Sequence, residues 1–97
     1  MTDTTIFHMC RADEWLEAQK TGLYPGSSQD REDGFIHFST AEHLRESAAK
    51  HRAGQTGLLL LTVDATELGD ALRWEEARGG ILFPHLYSAL PIDAAIR

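Results

Sequence analysis

Gly57-Leu58-Leu59-Leu60-Leu61-Thr62-Val63-Asp64 is the segment on which the fold class turns. Four successive leucines and a valine, bounded by glycine and aspartate, make a short continuous apolar run. Such a run predicts a central strand buried on both faces. Downstream, Asp64 to Gly69 predicts a capped helical turn ended by glycine. Ala71 to Glu76 predicts a strand with Arg73 and Glu75 on one face and Trp74 on the other. Arg78-Gly79-Gly80 reads as a turn. Ile81 to Leu90 contains Pro84, which predicts an edge strand or a strand with a break. Ile92 to Arg97 is expected to close the sheet.

Upstream of the leucine run, Ser39 followed by Glu42 fits a capping box, so a helix is expected from Ser39 to about Arg52, ended by Gly54. Gly34 to Phe38 predicts a strand, with Phe35, His37 and Ser39 sharing a face. Leu23 to Asp33 is polar, carries Pro25-Gly26 and Ser27-Ser28, and is expected to be a loop. Ala12 to Lys20 predicts a helix with Trp15, Ala18 and Gln19 at i, i+3, i+4, and Gly22 as its C-cap. Thr5 to Cys10 predicts a strand with Ile6, His8 and Cys10 on one face. Helices early and strands late indicate an α+β domain.

At 97 residues the chain is expected to form one domain, residues 1–97. No repeat or linker divides it. Apolar residues are 42% and charged residues 25%, which excludes an intrinsically disordered chain. Fifteen acidic against nine basic residues give a net charge of −6, so generic counterion release on a polynucleotide is disfavoured. DNA and membrane surfaces are not expected partners, and RNA is disfavoured on the same ground. A small ligand fits better, because a local cationic pocket can sit on an acidic surface. One cysteine, Cys10, allows no intramolecular disulfide and no multi-cysteine metal site, which suits a reducing cytoplasm. The polar start, Met1 to Thr5, lacks the layout of a signal peptide.

Three histidines, His8, His37 and His85, fall in or beside predicted strands, and histidine titrates nearest neutrality. Gly34-Phe35-Ile36-His37-Phe38-Ser39-Thr40 is the densest signal, a histidine and a serine aimed one way before an expected helix start. The bland alternative is that Ser39 only caps that helix. Glu75 is either half of a surface ion pair with Arg73 or a carboxylate aimed into a cleft. Phe83, His85 and Tyr87 alternate along one face, where aromatic rings can stack on a flat ligand. A three-histidine metal site from His8, His37 and His85 has no supporting local spacing, and His43 and His51 are eight residues apart, not a zincin pair. No metal is expected. No P-loop, G-x-G-x-x-G or G-x-S-x-G is present.

Taken together, Ile6-Phe7-His8, Glu14-Trp15, Gly34 to Thr40, Arg73-Trp74-Glu75 and Phe83-Pro84-His85-Leu86-Tyr87 resemble the DUF952 family of small bacterial proteins. The resemblance spans about Thr5 to Ile96. It implies an ADP-ribosyltransferase-like α+β fold: split β-sheets with a cleft between them and two main helices. Ile6-Phe7-His8-Met9 is similar to the first-strand histidine of ADP-ribosyltransferases that use a His-Tyr-Glu set. Ile36-His37-Phe38-Ser39 is similar to the histidine-x-serine strand of the NAD-requiring RNA 2′-phosphotransferases. These likenesses imply a pocket for NAD or an ADP-ribose-like nucleotide, with transferase or NAD glycohydrolase-like chemistry. Glu75 is then the catalytic carboxylate, with His37 or His85 as general acid–base. His8 with Ser39 would serve the ribose hydroxyls, Tyr87 the nicotinamide face, and Thr40 and Arg73 the rest of the ligand. The rival expectations are a histidine-lined metal-binding protein and a non-catalytic interaction module that keeps only the fold.

Overall fold

The computed structural model describes residues 5–46 and 57–96. Strand β1 (Thr5–Arg11) alternates as expected, with Ile6, His8 and Cys10 buried. It pairs antiparallel along its length with β4 (Leu58–Asp64), setting Ile6 opposite Val63 and His8 opposite Leu61. Strand β8 (Ala95–Ile96) pairs with the other side of β4, so the leucine run is the central strand of its sheet. It is not buried on both faces. Leu61 and Val63 are inside, but Leu60 is 40% exposed. An antiparallel sheet can leave one face to solvent, and only the inner face of this one packs on the core.

Helix α1 (Ala12–Thr21) follows β1 without a linker and buries Trp15 and Ala18. Gly22 ends it at φ 87°, a left-handed conformation that glycine adopts without a Cβ penalty, and its N–H bonds the Ala18 carbonyl at 2.8 Å. The expected loop Leu23 to Asp33 is instead structured. Strand β2 (Leu23–Tyr24) pairs with β7 (Leu90–Pro91), and helix α2 (Ser28–Asp33) follows. The Ser27 hydroxyl accepts from the Asp30 N–H, and the Asp30 carboxylate accepts from the Ser27 N–H at 2.8 Å. This reciprocal box, with no apolar periodicity, nucleates the helix.

The expected strand Gly34 to Phe38 is shorter. Gly34 caps α2, and only β3 (Ile36–His37) pairs with β6 (Leu82–Leu86). The chain then changes sheets. Phe38 N–H bonds the Pro84 carbonyl at 3.0 Å, and Ser39 N–H bonds the Phe7 carbonyl at 2.7 Å. Ser39 therefore sits in a β-bridge and starts no helix. Helical structure begins at residue 44, and the rest of the expected helix, residues 47–52, lies outside the described residues.

Strand β5 (Leu72–Glu76) pairs with the other side of β6, giving the order β3-β6-β5. Pro84 thus lies in a central strand, not at an edge. Its C=O faces Phe38, so its missing N–H faces the same way, where β3 has already ended. The proline is accommodated because the ladder stops there. The predicted turn at Asp64 to Gly69 is present, with Asp64 Oδ1 accepting from Thr66 N–H at 3.0 Å. All strand pairings among the described residues are antiparallel, and helices and strands make an α+β domain. Ile6, Trp15, Tyr24, Ile36, Phe38 and Leu86 centre the core between the sheets. Among the described residues no helix is long and apolar enough to cross a membrane.

Candidate functional site

The register of β3-β6-β5 sets His37 opposite His85, and His85 opposite Arg73. Side chains two residues apart along a strand share a face. One face of this sheet therefore gathers Phe35 and His37, Arg73 and Glu75, and His85 and Tyr87. The opposite face carries Ile36 and Leu86 into the core. The face is knit by rings: Phe35 stacks on His85 with centroids 4.2 Å apart, and lies 5.2 Å from Tyr87. His37 meets His85 edge-on at 5.6 Å. The Arg73 guanidinium sits over the Tyr87 ring at 5.2 Å.

Glu75 holds the centre of its end of the face. Its Oε1 receives two donors, the Tyr87 hydroxyl at 2.5 Å and His85 Nδ1 at 2.9 Å. Oε2 makes no hydrogen bond to a described residue. The Tyr87 and His85 donors hold the Glu75 carboxyl below the usual glutamate range, and donation to Glu75 pushes the Tyr87 hydroxyl up. Glu75 is therefore an ionised carboxylate at neutral pH with one oxygen still open. His85 is buried, and with Nδ1 directed at Glu75 its Nε2 has no hydrogen-bond partner among the described residues. A carboxylate fixing one imidazole nitrogen and leaving the other open is the arrangement of an oriented acid–base histidine.

His37 is differently placed. Its Nδ1 lies 2.5 Å from Asp30 Oδ1 and its Nε2 lies 3.1 Å from Asp33 Oδ2, so both nitrogens are engaged by α2. The backbone N–H of His37 also donates to Asp30 Oδ1 at 3.2 Å. Asp30 is 3% exposed and is the hub of this corner. Burial opposes its charge, but the His37 hydrogen bond and the neighbouring His8 outweigh burial and hold its carboxyl below the usual range.

His8 lies inside the molecule rather than on the face. Its Nδ1 donates to the His37 carbonyl at 2.6 Å, since a carbonyl can only accept. Its Nε2 lies 2.9 Å from the Tyr24 hydroxyl and 3.7 Å from Asp30. Burial pushes the Tyr24 hydroxyl far up, with Cys10 adding to the effect, so it stays protonated and serves as a hydrogen-bonding group. His8 thus anchors the backbone that carries His37. Ser39 is buried with its backbone bridging β1, and the Thr40 hydroxyl oxygen is buried without a hydrogen-bond partner among the described residues.

Of the residues singled out in the sequence, the fold brings Glu75, His85, Tyr87, Arg73 and His37 together, and sets His8, Ser39 and Thr40 behind or beside them. Two residues of the corner carried no functional signal in the sequence analysis. Asp30 was legible as the fourth residue of Ser27-Ser28-Gln29-Asp30, a capping box in its own right. Phe35 was placed on the right face, but its stacking on His85 depends on strand order. A cleft of about 240 Å³ adjoins the face, lined by Pro25, Arg31, Phe35, Ile36, Tyr87 and Ser88 among others. Among the described residues no three histidine, cysteine or acidic side chains are grouped to hold a metal ion.

The sequence matches the protein family of unknown function DUF952 over residues 9–97. The chain belongs to that family. Its fold is similar to that of CC0527 from Caulobacter crescentus. The crystal structure of that protein is 45% identical, with a TM-score of 0.93 over 97% of this chain and 82% of the other. A solution NMR structure of CC0527 is 44% identical, with a TM-score of 0.84 over 98% of this chain and 82% of the other. No curated protein matches the sequence.

Proposed function

We propose that the Glu75–His85–Tyr87 face binds a ribosyl nucleotide of the NAD or ADP-ribose type and acts on its glycosidic bond, as an ADP-ribosyltransferase or NAD glycohydrolase does. The observation that carries this reading is the Glu75 carboxylate, ionised, fixed through Oε1 and open at Oε2. Breaking a nicotinamide–ribose bond leaves an oxocarbenium-like sugar, which a fixed carboxylate stabilises. The open Nε2 of His85 then takes the proton of the attacking water or hydroxyl acceptor. Phe35 and Tyr87, which both line the adjoining cleft, offer ring faces to a planar base. Arg73 and Arg31 supply positive charge for a diphosphate on an otherwise acidic chain. His37, with both nitrogens taken, positions the face and is not the acid–base group. The split antiparallel sheets are consistent with the ADP-ribosyltransferase-like fold this reading assumes.

The test is a backbone-amide NMR titration with NAD and, separately, ADP-ribose at millimolar ligand. Saturable shifts are expected at Phe35, His37, Glu75, His85 and Tyr87. Nicotinamide release is then followed for the native chain and for Glu75→Gln. The variant is expected to keep binding and lose turnover by about a hundredfold or more, the scale of one electrostatic stabiliser. Absence of shifts, or unchanged turnover in Glu75→Gln, overturns the reading.

A further inference from the structure

Among the described residues strand β5 has one partner, β6, and its other edge is unpaired. The hydrogen bonds at either end of this ladder, Tyr87 N–H to Ala71 carbonyl and Ala77 N–H to Ile81 carbonyl, fix which residues face β6. They are the odd-numbered ones. The backbone N–H and C=O groups of Leu72, Trp74 and Glu76 therefore point to the other edge. The Leu72 N–H is already used by the Gly69 carbonyl. Trp74 N–H and C=O, Glu76 N–H and C=O, and Leu72 C=O have no hydrogen-bond partner among the described residues. An open edge of this kind is a template for another strand.

The sequence of the edge is complementary to itself. Leu72-Arg73-Trp74-Glu75-Glu76, laid antiparallel on a second copy about Trp74, sets Arg73 of each chain opposite Glu75 of the other. Trp74 meets Trp74 in a hydrogen-bonded pair, and each Arg73–Glu75 pair falls at a non-hydrogen-bonded position, where opposed side chains are closest. Both charged groups can take part: Arg73 is exposed, and Glu75 Oε2 is open. On the other face, Trp74 is 47% exposed and Leu82, its diagonal neighbour on β6, is 54% exposed. Pairing would cover both.

We propose that a second copy of this chain docks on this edge of β5, unpaired among the described residues, by two-fold antiparallel pairing centred on Trp74. The two three-stranded sheets become one continuous sheet of six, and a two-fold axis normal to it keeps both Glu75 faces on the same side. Each Glu75 then has an Arg73 from the second copy beside its Oε2, the oxygen the proposed chemistry uses, so pairing competes with a ligand for that oxygen. A short edge buries less than a standard interface, and a net charge of −6 per chain opposes association, so the dimer is weak and is strengthened by moderate salt.

Sedimentation velocity of the full chain, from about 10 µM to about 1 mM, should show a monomer converting to a dimer. Arg73→Glu and Glu75→Arg each set like charges opposite one another and should weaken self-association about tenfold or more. An equimolar mixture of the two variants restores opposite charges at both positions and should associate as the native chain does. Trp74→Lys, an exposed site, should abolish the dimer while amide spectra show the β5–β6 ladder intact. At high concentration the Trp74 and Glu76 amides should gain protection from exchange. A monomer throughout the range, a dimer untouched by Trp74→Lys, or a mixture of folded variants that fails to associate overturns the proposal. None of these outcomes depends on the ligand.

Discussion

Asp30 carries more of this corner than any other single residue. Its two oxygens receive the Ser27 N–H, the His37 N–H and His37 Nδ1, and His8 lies 3.7 Å away, all at 3% exposure. Removing it strands several buried polar partners at once. Asp30→Ala should cost about 3 kcal/mol in chemical denaturation, and Asp30→Asn less, because the amide still accepts one or two of these bonds. The pH dependence has a definite sign. The folded-state carboxyl titrates below its ordinary value of 3.8, so its stabilisation is complete above that value and is lost as the pH falls through the lower folded value. The acid limb of a stability–pH curve should therefore be flatter in Asp30→Asn than in the native chain. An identical acid limb in the two proteins would refute the assignment.

At the scale of the element, α2 is a helix made by its ends. Ser27 and Asp30 cap its start and Gly34 its finish, and the six residues between have no apolar stripe. The approach to it is equally tight. Gly26 has φ 96°, and a Cβ there would lie 2.7 Å from the Asp30 Cβ. Gly34 has φ 90° but open space around it. Gly26→Ala should thus cost about 2 kcal/mol or more, by strain and clash together, and Gly34→Ala only about 1 kcal/mol, by strain alone. Urea denaturation of the two variants side by side separates the contributions. In β6 the same logic governs Pro84. Its position was legible as a break in pairing, but which strand it interrupts was set by the two-residue length of β3.

Across the whole molecule, residues 36–39 are the seam. Ile36 and His37 belong to the β6 sheet, Ser39 bridges to β1, and Phe38 between them is 2% exposed against the His8 ring at 5.5 Å. Phe38→Ala should open a cavity between the sheets and cost about 4 kcal/mol. A thermal midpoint lower by about 15–30 °C is expected for a domain of this size. Because His37 lies in the seam next to Phe38 and pairs across to His85, the variant should also disturb the His37 and His85 resonances. Undisturbed histidine signals would show that the site is positioned independently of the seam.

By itself the sequence determined the elements with strong local signals. The alternation of Ile6, His8 and Cys10 and the Gly22 stop of α1 were legible, as was the shared face of Arg73 and Glu75, because strand and helix periods and a glycine cap are properties of neighbouring residues. It also determined the family, through motifs that run the length of the chain. Tertiary structure decided what depends on distant partners. The Ser39-x-x-Glu42 pattern has the letters of a capping box, yet Ser39 was claimed by Phe7 and became β-bridge, while the working box formed at Ser27 and Asp30 in a segment with no periodicity at all. The leucine run was rightly central but wrongly buried on both faces, since its exposure depends on how many layers cover the sheet. Only strand order could divide the three histidines into an interior anchor, a clamped positioning group and one imidazole with an open nitrogen beside Glu75, because hydrogen-bond partners and solvent access are fixed by what packs across the sheet and not by the spacing along the chain.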